Sequence, residues 1–129
     1  MTQLLDDFQR RTRALVSAVG LLLRSEPGSV GYGEFRRKTE KSVRMVIDTA
    51  DEALRGLADG DREAGLQAAL ERGLMDAGEA ERWRACFAGR LLPDDDTDYD
   101  GATLDRLRAL MVDARGLETN LRGLAHEVR

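Results

Sequence analysis

Several residue types on which familiar folds and sites depend are scarce in this sequence. A single cysteine, Cys86, excludes an internal disulfide and fits a reducing compartment. With His126 as the one histidine, neither a zinc site nor a nucleophile–base pair can be assembled. Only Pro27 and Pro93 interrupt the chain, so long helices are permitted. Aromatic residues make up 5% and charged residues 34%, which is typical of a helical bundle rather than a β-sandwich.

Long apolar runs and excess positive charge are also missing. No segment approaches the ~20 apolar residues that a membrane span needs. The N-terminal stretch MTQLLDDFQRR carries acids where a signal peptide carries bases. The net charge of −4 provides no overall attraction for nucleic acid. We therefore expect a cytoplasmic protein without a membrane or nucleic-acid partner, and its arginine-rich positive charge favours a bacterial source with a GC-rich genome.

Apolar residues recur at three- and four-residue spacing, which predicts helices. The first long helix is predicted at about residues 2–24 and the second at about 34–58. Between them, SEPGSVGYG contains a proline and three glycines that interrupt a helix. A third long helix, with near-heptad apolar spacing from Leu104 to Val128, is predicted to end the chain.

Two short helices are predicted between the second and third long ones. Asp61 and Asp76 are suitable N-caps for them, and Asp100 or Thr103 for the last helix. No useful length of sequence alternates with period two. We predict one all-α domain over residues 1–129, an antiparallel up-and-down bundle of three long helices with a short helical pair.

Five aspartates crowd into the segment PDDDTDYDG. Asp96, Asp98 and Asp100 have the D-x-D-x-D-G spacing of the first half of an EF-hand loop. The twelfth position, where that loop needs a bidentate glutamate, is Leu107, which the predicted core requires. Such a site would hold calcium weakly, and a solvated turn that caps the last helix is the simpler interpretation. We expect no bound metal and no cofactor.

The order of three segments resembles a known superfamily. LLDDFQRRTRALVSAVGLLL, FRRKTEKSVRMVIDTADEAL and ALERGLMDAGEAERWRACFAGR precede an acidic turn and a long last helix, as in HEPN proteins. The most specific piece is LERGLMDAGEAERW, which is similar to the family's short helix, G-L-[IM]-D and following helix. Within the superfamily, the chain is most similar to nucleotidyltransferase substrate-binding proteins and HEPN toxins of bacterial toxin–antitoxin pairs. The resemblance implies a HEPN-like bundle, a homodimer and a minimal nucleotidyltransferase as a further partner.

The resemblance also implies where an active site would lie, and the sequence departs from the pattern there. Active HEPN ribonucleases carry an arginine, usually followed by asparagine, then a histidine four to six positions later and often a tyrosine two beyond it. Here leucine follows the arginine, aspartates replace the histidine, and the tyrosine comes two residues late. Aspartates beside a scissile phosphate would repel RNA. The degenerate motif comprises Arg90, Asp94, Asp95, Asp96 and Tyr99.

This degenerate motif predicts a non-enzymatic protein-binding module. An active HEPN ribonuclease toxin is one alternative, and a small helical adaptor of an unrelated assembly is another. A basic patch on the second helix, Arg37, Lys41 and Arg44, is a candidate phosphate contact. A solvated face paired with acids one turn away is the simpler interpretation of that patch.

Apolar residues near the end of the fourth helix predict an interface. Trp83, Phe87, Leu91 and Leu92 follow one another at helical steps and exceed what one small core needs. We therefore expect a two-fold homodimer with Leu91 and Leu92 at or near its seam. The alternative is that Trp83 and Phe87 fill the chain's own core while the two leucines cover its end.

Overall fold

The structure, a computed structural model, describes residues 2–94 and 98–127, and only the backbone of residues 126 and 127. These parts of the chain contain five helices and no strand, which confirms the all-α prediction. The helices are α1 (Thr2–Leu23), α2 (Val30–Gly56), α3 (Arg62–Glu71), α4 (Ala77–Phe87) and α5 (Gly101–Glu127). No helix in the described ranges is both long enough and apolar enough to cross a membrane.

The predicted caps explain where three of the helices begin. The Asp61 carboxylate accepts hydrogen bonds from backbone N–H groups in the first turn of α3. Asp76 accepts from the N–H of Glu79, whose carboxylate accepts in return from the N–H of Asp76, so α4 starts with a capping box. Asp100 accepts from the N–H of Thr103 at 2.8 Å and caps α5. These bonds satisfy N–H groups that a helix leaves without an internal partner.

The second helix starts four residues earlier than the sequence predicts. Ser29 is its N-cap, and the Ser29 hydroxyl accepts from the N–H of Tyr32 at 3.1 Å. Gly31 and Gly33, expected in the loop, therefore lie in the first turns of α2. Each glycine costs about 1 kcal/mol in a helix, but the cap and the burial of the Tyr32 ring, 6% exposed, favour the helical start.

The core forms where α1 packs against α2 and α5, and where α2 also contacts α3 and α4. At the end of α1, Leu22 takes the inward position and its neighbour Leu23 is 49% exposed. The largest fully buried side chains of the core are Trp83, Phe8, Leu5, Leu15, Leu22, Leu54, Leu66, Leu107, Leu117 and Leu121.

The backbones of α2 and α3 approach each other closely at Gly65. A Cβ atom at this position would stand 2.0 Å from the Leu54 carbonyl oxygen and 2.6 Å from its carbonyl carbon. Both are backbone atoms of α2, so no side-chain rotation can make room for a methyl group. The contact therefore requires glycine and places the backbone of α3 directly on that of α2.

We predict that Gly65→Ala costs about 3 kcal/mol or more of unfolding free energy, since overpacking against backbone cannot be relieved locally. Gly20→Ala is the matched control. A Cβ at Gly20 meets nothing within 4 Å, so this helical substitution should stabilise the protein by about 0.5–1 kcal/mol. Urea denaturation followed by circular dichroism measures both changes. Equal stability of the two variants would contradict the close approach.

Candidate functional site

The segment between α4 and α5 carries the degenerate motif. Gly89, with φ of +74°, ends α4 in the left-handed conformation and leaves Arg90 just beyond the helix with an exposed side chain. Asp94 is also exposed. Asp95 and Asp96 lie outside the described residues, so the expectations for them stay predictions.

Tyr99, the tyrosine of the motif, faces the interior instead of the solvent. Its side chain is 8% exposed, and its hydroxyl donates to Glu40 Oε1 across 3.3 Å. Its backbone N–H donates to the Tyr32 hydroxyl at 3.1 Å. Burial, together with the Glu40 carboxylate, raises the pKa of Tyr99 well above its ordinary value. The phenol of Tyr99 therefore stays protonated, and its hydrogen bond to Glu40 attaches the loop to α2.

The last two aspartates of the loop, Asp98 and Asp100, differ in their surroundings. Hydrogen bonds from Thr103 hold the pKa of Asp100 below its ordinary value, as expected for a carboxylate that caps a helix. Asp98 is exposed. Among the residues with described side chains, no group of three His, Cys, Asp or Glu is arranged to hold a metal ion. Asp96, the remaining candidate calcium ligand, lies outside those residues.

An ion pair that was not predicted, between a half-exposed arginine and a buried aspartate, joins α4 to α5. Asp113 is 5% exposed and accepts from Arg82 Nε at 2.7 Å and from Arg82 Nη2 at 3.0 Å. The sequence does contain a signal for it, because Asp113 stands three residues after Leu110 and four before Leu117, on the core-facing side of α5. An acid at such a position needs a hydrogen-bonded partner.

Arg90 lies at a small cavity of about 70 Å³ between α4 and α5. Arg106, also on its lining, donates from Nε to the Leu91 carbonyl at 2.9 Å. Cys86 lines the same cavity, and burial raises the pKa of its thiol to about 11, so the thiol stays protonated near neutral pH. The Arg90 side chain makes no hydrogen bond or ion pair with the described residues. Among the described residues of the degenerate motif, Arg90 thus supplies a positive charge without an ion-pair partner.

The four apolar residues of the predicted interface are covered to different extents. Trp83 is 1% and Leu91 7% exposed, so the chain's own core already covers them. Phe87 and Leu92 are only partly buried. The Phe87 ring stacks on Trp83 with the centroids 6.0 Å apart, and the Arg62 guanidinium lies 4.5 Å from the Phe87 centroid. These two contacts fix the orientation of the Phe87 ring but leave part of the side chain exposed to solvent.

An open groove of about 230 Å³ runs between α2 and the end of α4. Its apolar lining includes Val43 and Ile47 from α2 and Phe87, Leu91 and Leu92 from α4 and the following segment. We refer to these five residues as the α2–α4 groove.

The rim of the α2–α4 groove is charged. Arg44 and Asp48 both line it and have exposed side chains. They are one helical turn apart, yet no ion pair or hydrogen bond engages either side chain in the described structure. The groove therefore has one unused charge of each sign beside its apolar floor.

The basic patch on α2 is exposed. Arg37, Lys41 and Arg44 form no ion pair with any described residue, so the expected pairing with acids one turn away is not observed for them. A neighbouring pair does form, between Arg36 Nε and a Glu40 oxygen at 3.9 Å. The phosphate-contact interpretation of the patch stays a prediction.

Comparison with known proteins finds no match to a family model, a curated protein or a solved structure. The HEPN resemblance accordingly stays a prediction, and the function has to be inferred from the geometry of this chain.

We predict that Tyr32→Phe costs about 1–3 kcal/mol, because it leaves the buried N–H of Tyr99 without an acceptor. Tyr99→Phe is the matched control: it removes a hydroxyl whose partner, Glu40, is partly solvated, and should cost about 0.5–1.5 kcal/mol. Both losses can be measured by urea denaturation. A larger loss for Tyr99→Phe would show that the loop is held mainly through Glu40.

Proposed function

We propose that this protein is a non-enzymatic helical binding module whose first partner is a second copy of the same chain. The observation that carries the proposal is the α2–α4 groove with its two unpaired rim charges. Apolar surface that one chain leaves open beside ordered aromatic side chains is typical of an interface.

The rim charges favour a second copy over an unrelated partner. In a two-fold dimer each contact occurs twice, with the two residues exchanged. If the two α2 helices cross in opposite directions, Arg44 of one protomer faces Asp48 of the partner subunit, and its own Asp48 faces the partner's Arg44. A surface with one unused charge of each sign, one turn apart, is complementary to itself in this way. The two cross-pairs would also set the register of the dimer.

The apolar part of the groove supplies the attraction. Leu92 and Phe87 are the partly buried residues on the α4 side, and in a two-fold arrangement each pair would cover the α2 side of the other protomer. Aromatic and aliphatic side chains in such a central position carry most of an interface's binding energy.

The surroundings of the degenerate motif support a binding function rather than catalysis. The Tyr99 hydroxyl is engaged by Glu40, and the Cys86 thiol is held protonated by burial. The carboxylate that shares a cavity with Arg90, that of Asp113, is occupied by two hydrogen bonds from Arg82.

The finer parts of the proposal follow from the sequence resemblance. They are an antiparallel HEPN-like arrangement of the helices and a minimal nucleotidyltransferase as a further partner, in a pair of the toxin–antitoxin type. A neighbouring gene that encodes the nucleotidyltransferase pattern G-S-x-a-x-G-x-x-x-D-x-D would favour this partner. Co-purification of the two proteins would then test it, and failure of the co-expressed pair to associate would remove it from the proposal.

Light scattering at micromolar concentration should report about twice the chain mass of 14.3 kDa. Arg44→Asp and Asp48→Arg should each weaken the dimer about tenfold or more, because each places like charges opposite one another twice. The double variant Arg44→Asp/Asp48→Arg should restore the dimer.

Two further variants complete this experiment. Leu92→Asp should give a folded monomer, since it places a carboxylate in the apolar groove. Arg37→Asp is the control, because Arg37 is an exposed arginine of α2 that does not line the groove. A monomeric wild type, or single charge reversals that dimerise as tightly as Arg37→Asp, would overturn the proposed interface.

We also predict that the purified protein does not cleave RNA in the absence of metal. The expected result is an intact labelled RNA after incubation with wild type and with Arg90→Ala alike. Cleavage by wild type that disappears in Arg90→Ala would identify the protein as a ribonuclease and exclude the non-enzymatic function.

A further inference from the structure

A groove of about 370 Å³ lies between α1 and α5, away from the residues of the α2–α4 groove. Each helix contributes four lining residues with the same spacing, at positions 9, 12, 13 and 16 of α1 and 115, 118, 119 and 122 of α5. Residues with this spacing share one helix face. The volume is within the range of about 300–1,000 Å³ that small-molecule sites occupy.

The ion pair between Asp6 and Arg122, at 2.9 Å, fixes how the two helices align along this groove. On α1, Asp6 comes before the lining residues 9–16, whereas its partner Arg122 is the last of the lining residues 115–122 on α5. The two helices therefore run in opposite directions. Moving seven residues, or two turns, along each helix from the Asp6–Arg122 pair leads to Arg13 on α1 and Arg115 on α5. These two arginines therefore stand at the same level on opposite sides of the groove.

The positive charges in the groove are unequally neutralised. Arg122 is engaged by Asp6 and by Glu118, whose Oε2 accepts from Arg122 Nε at 2.8 Å. Glu118, at 8% exposure, is thus already paired. The side chains of Arg13 and Arg115 are exposed and make no hydrogen bond or ion pair with the described residues. The one acid on the lining, Glu118, is paired with Arg122, so the two guanidinium groups repel each other, and a bound anion would remove that repulsion.

We propose that the α1–α5 groove is a binding site for a small phosphate monoester, with the phosphate between Arg13 and Arg115. Each guanidinium is a planar fork that binds two oxygens, and a tetrahedral phosphate has oxygens for two such forks, whereas a single carboxylate does not. The Thr119 hydroxyl, which also lines the groove, has no other described partner and is available to the ligand.

The rest of the lining sets the kind of organic group that the ligand carries. The Thr12 hydroxyl is used within α1, where it donates to the Phe8 carbonyl at 2.8 Å. Gln9 adds an uncommitted amide, and Val16, 44% exposed, is the one large apolar side chain on the lining. Since no aromatic ring lines the groove to stack a base, a short polar ester such as a polyol phosphate fits better than a nucleotide.

Isothermal titration at constant ionic strength, with inorganic phosphate and with glycerol phosphate as probes, tests the proposal. Wild type should bind both saturably, and the ester more tightly if the organic group contacts the groove. Arg13→Gln and Arg115→Gln should each weaken binding about tenfold or more, which corresponds to the loss of one charge-assisted contact. Arg72→Gln is the control, because Arg72 is an exposed arginine without a described side-chain partner outside this groove.

Thermal unfolding in buffer without multivalent anions gives an independent readout. Arg115→Gln should unfold at a higher temperature than wild type, because it removes the repulsion with Arg13, whereas Arg72→Gln should not change the unfolding temperature. Wild type without a saturable site for either probe, or groove variants that bind like Arg72→Gln, would overturn the proposal. The monomeric Leu92→Asp protein should bind phosphate normally, so failure of the dimer and failure of this site can be distinguished.

Discussion

The backbone contact between Gly65 and Leu54 determines where the second half of the chain lies. It sets α3 against α2 without an intervening side chain, closer than any other residue would allow. The turn after α3 is short, since α4 begins at Ala77, so α4 must also start beside this part of the molecule. Trp83 then enters the core and Phe87 reaches the side of α2. The groove to which we assign self-association is a consequence of this single glycine position.

A second constraint acts on the loop before α5. The sequence suggests a fully solvated acidic connector, but its last residues are tied to α2 through Tyr32 and Glu40, both of which bond to Tyr99. Asp100 then caps α5 immediately after this attachment. The loop is thereby held at one end by a buried aromatic residue, while Asp94, Asp98 and Asp100 are exposed.

Periodicity and capping chemistry were sufficient to predict five helices, three N-caps and most of the core, because these depend on residues at most a turn or two apart. The predicted start of α2 is wrong, because the glycines around Tyr32 favour a loop in the sequence. The Tyr32 hydroxyl accepts from the N–H of Tyr99, which is 67 residues away along the chain. The Arg82–Asp113 pair and the alignment of Arg13 with Arg115 were not predicted for the same reason. Such contacts join residues on different helices, and one sequence does not report which helix faces lie together.

The distribution of arginines explains how a protein with a net negative charge can have a binding site for an anion. With a net charge of −4, the molecule as a whole does not attract a polyanion such as RNA, and charges farther apart than the Debye length of about 8 Å are largely screened by salt. At shorter distances local charges dominate, and several of the described arginines are neutralised by an acid on the same or a neighbouring helix, as Arg82 and Arg122 are. Arg13 and Arg115 differ in facing each other across a groove with no acid left to neutralise them. A small anion can reach both guanidinium groups without bringing further phosphates near the acidic surface, and therefore the same charge pattern that disfavours nucleic acid favours a small phosphate ester.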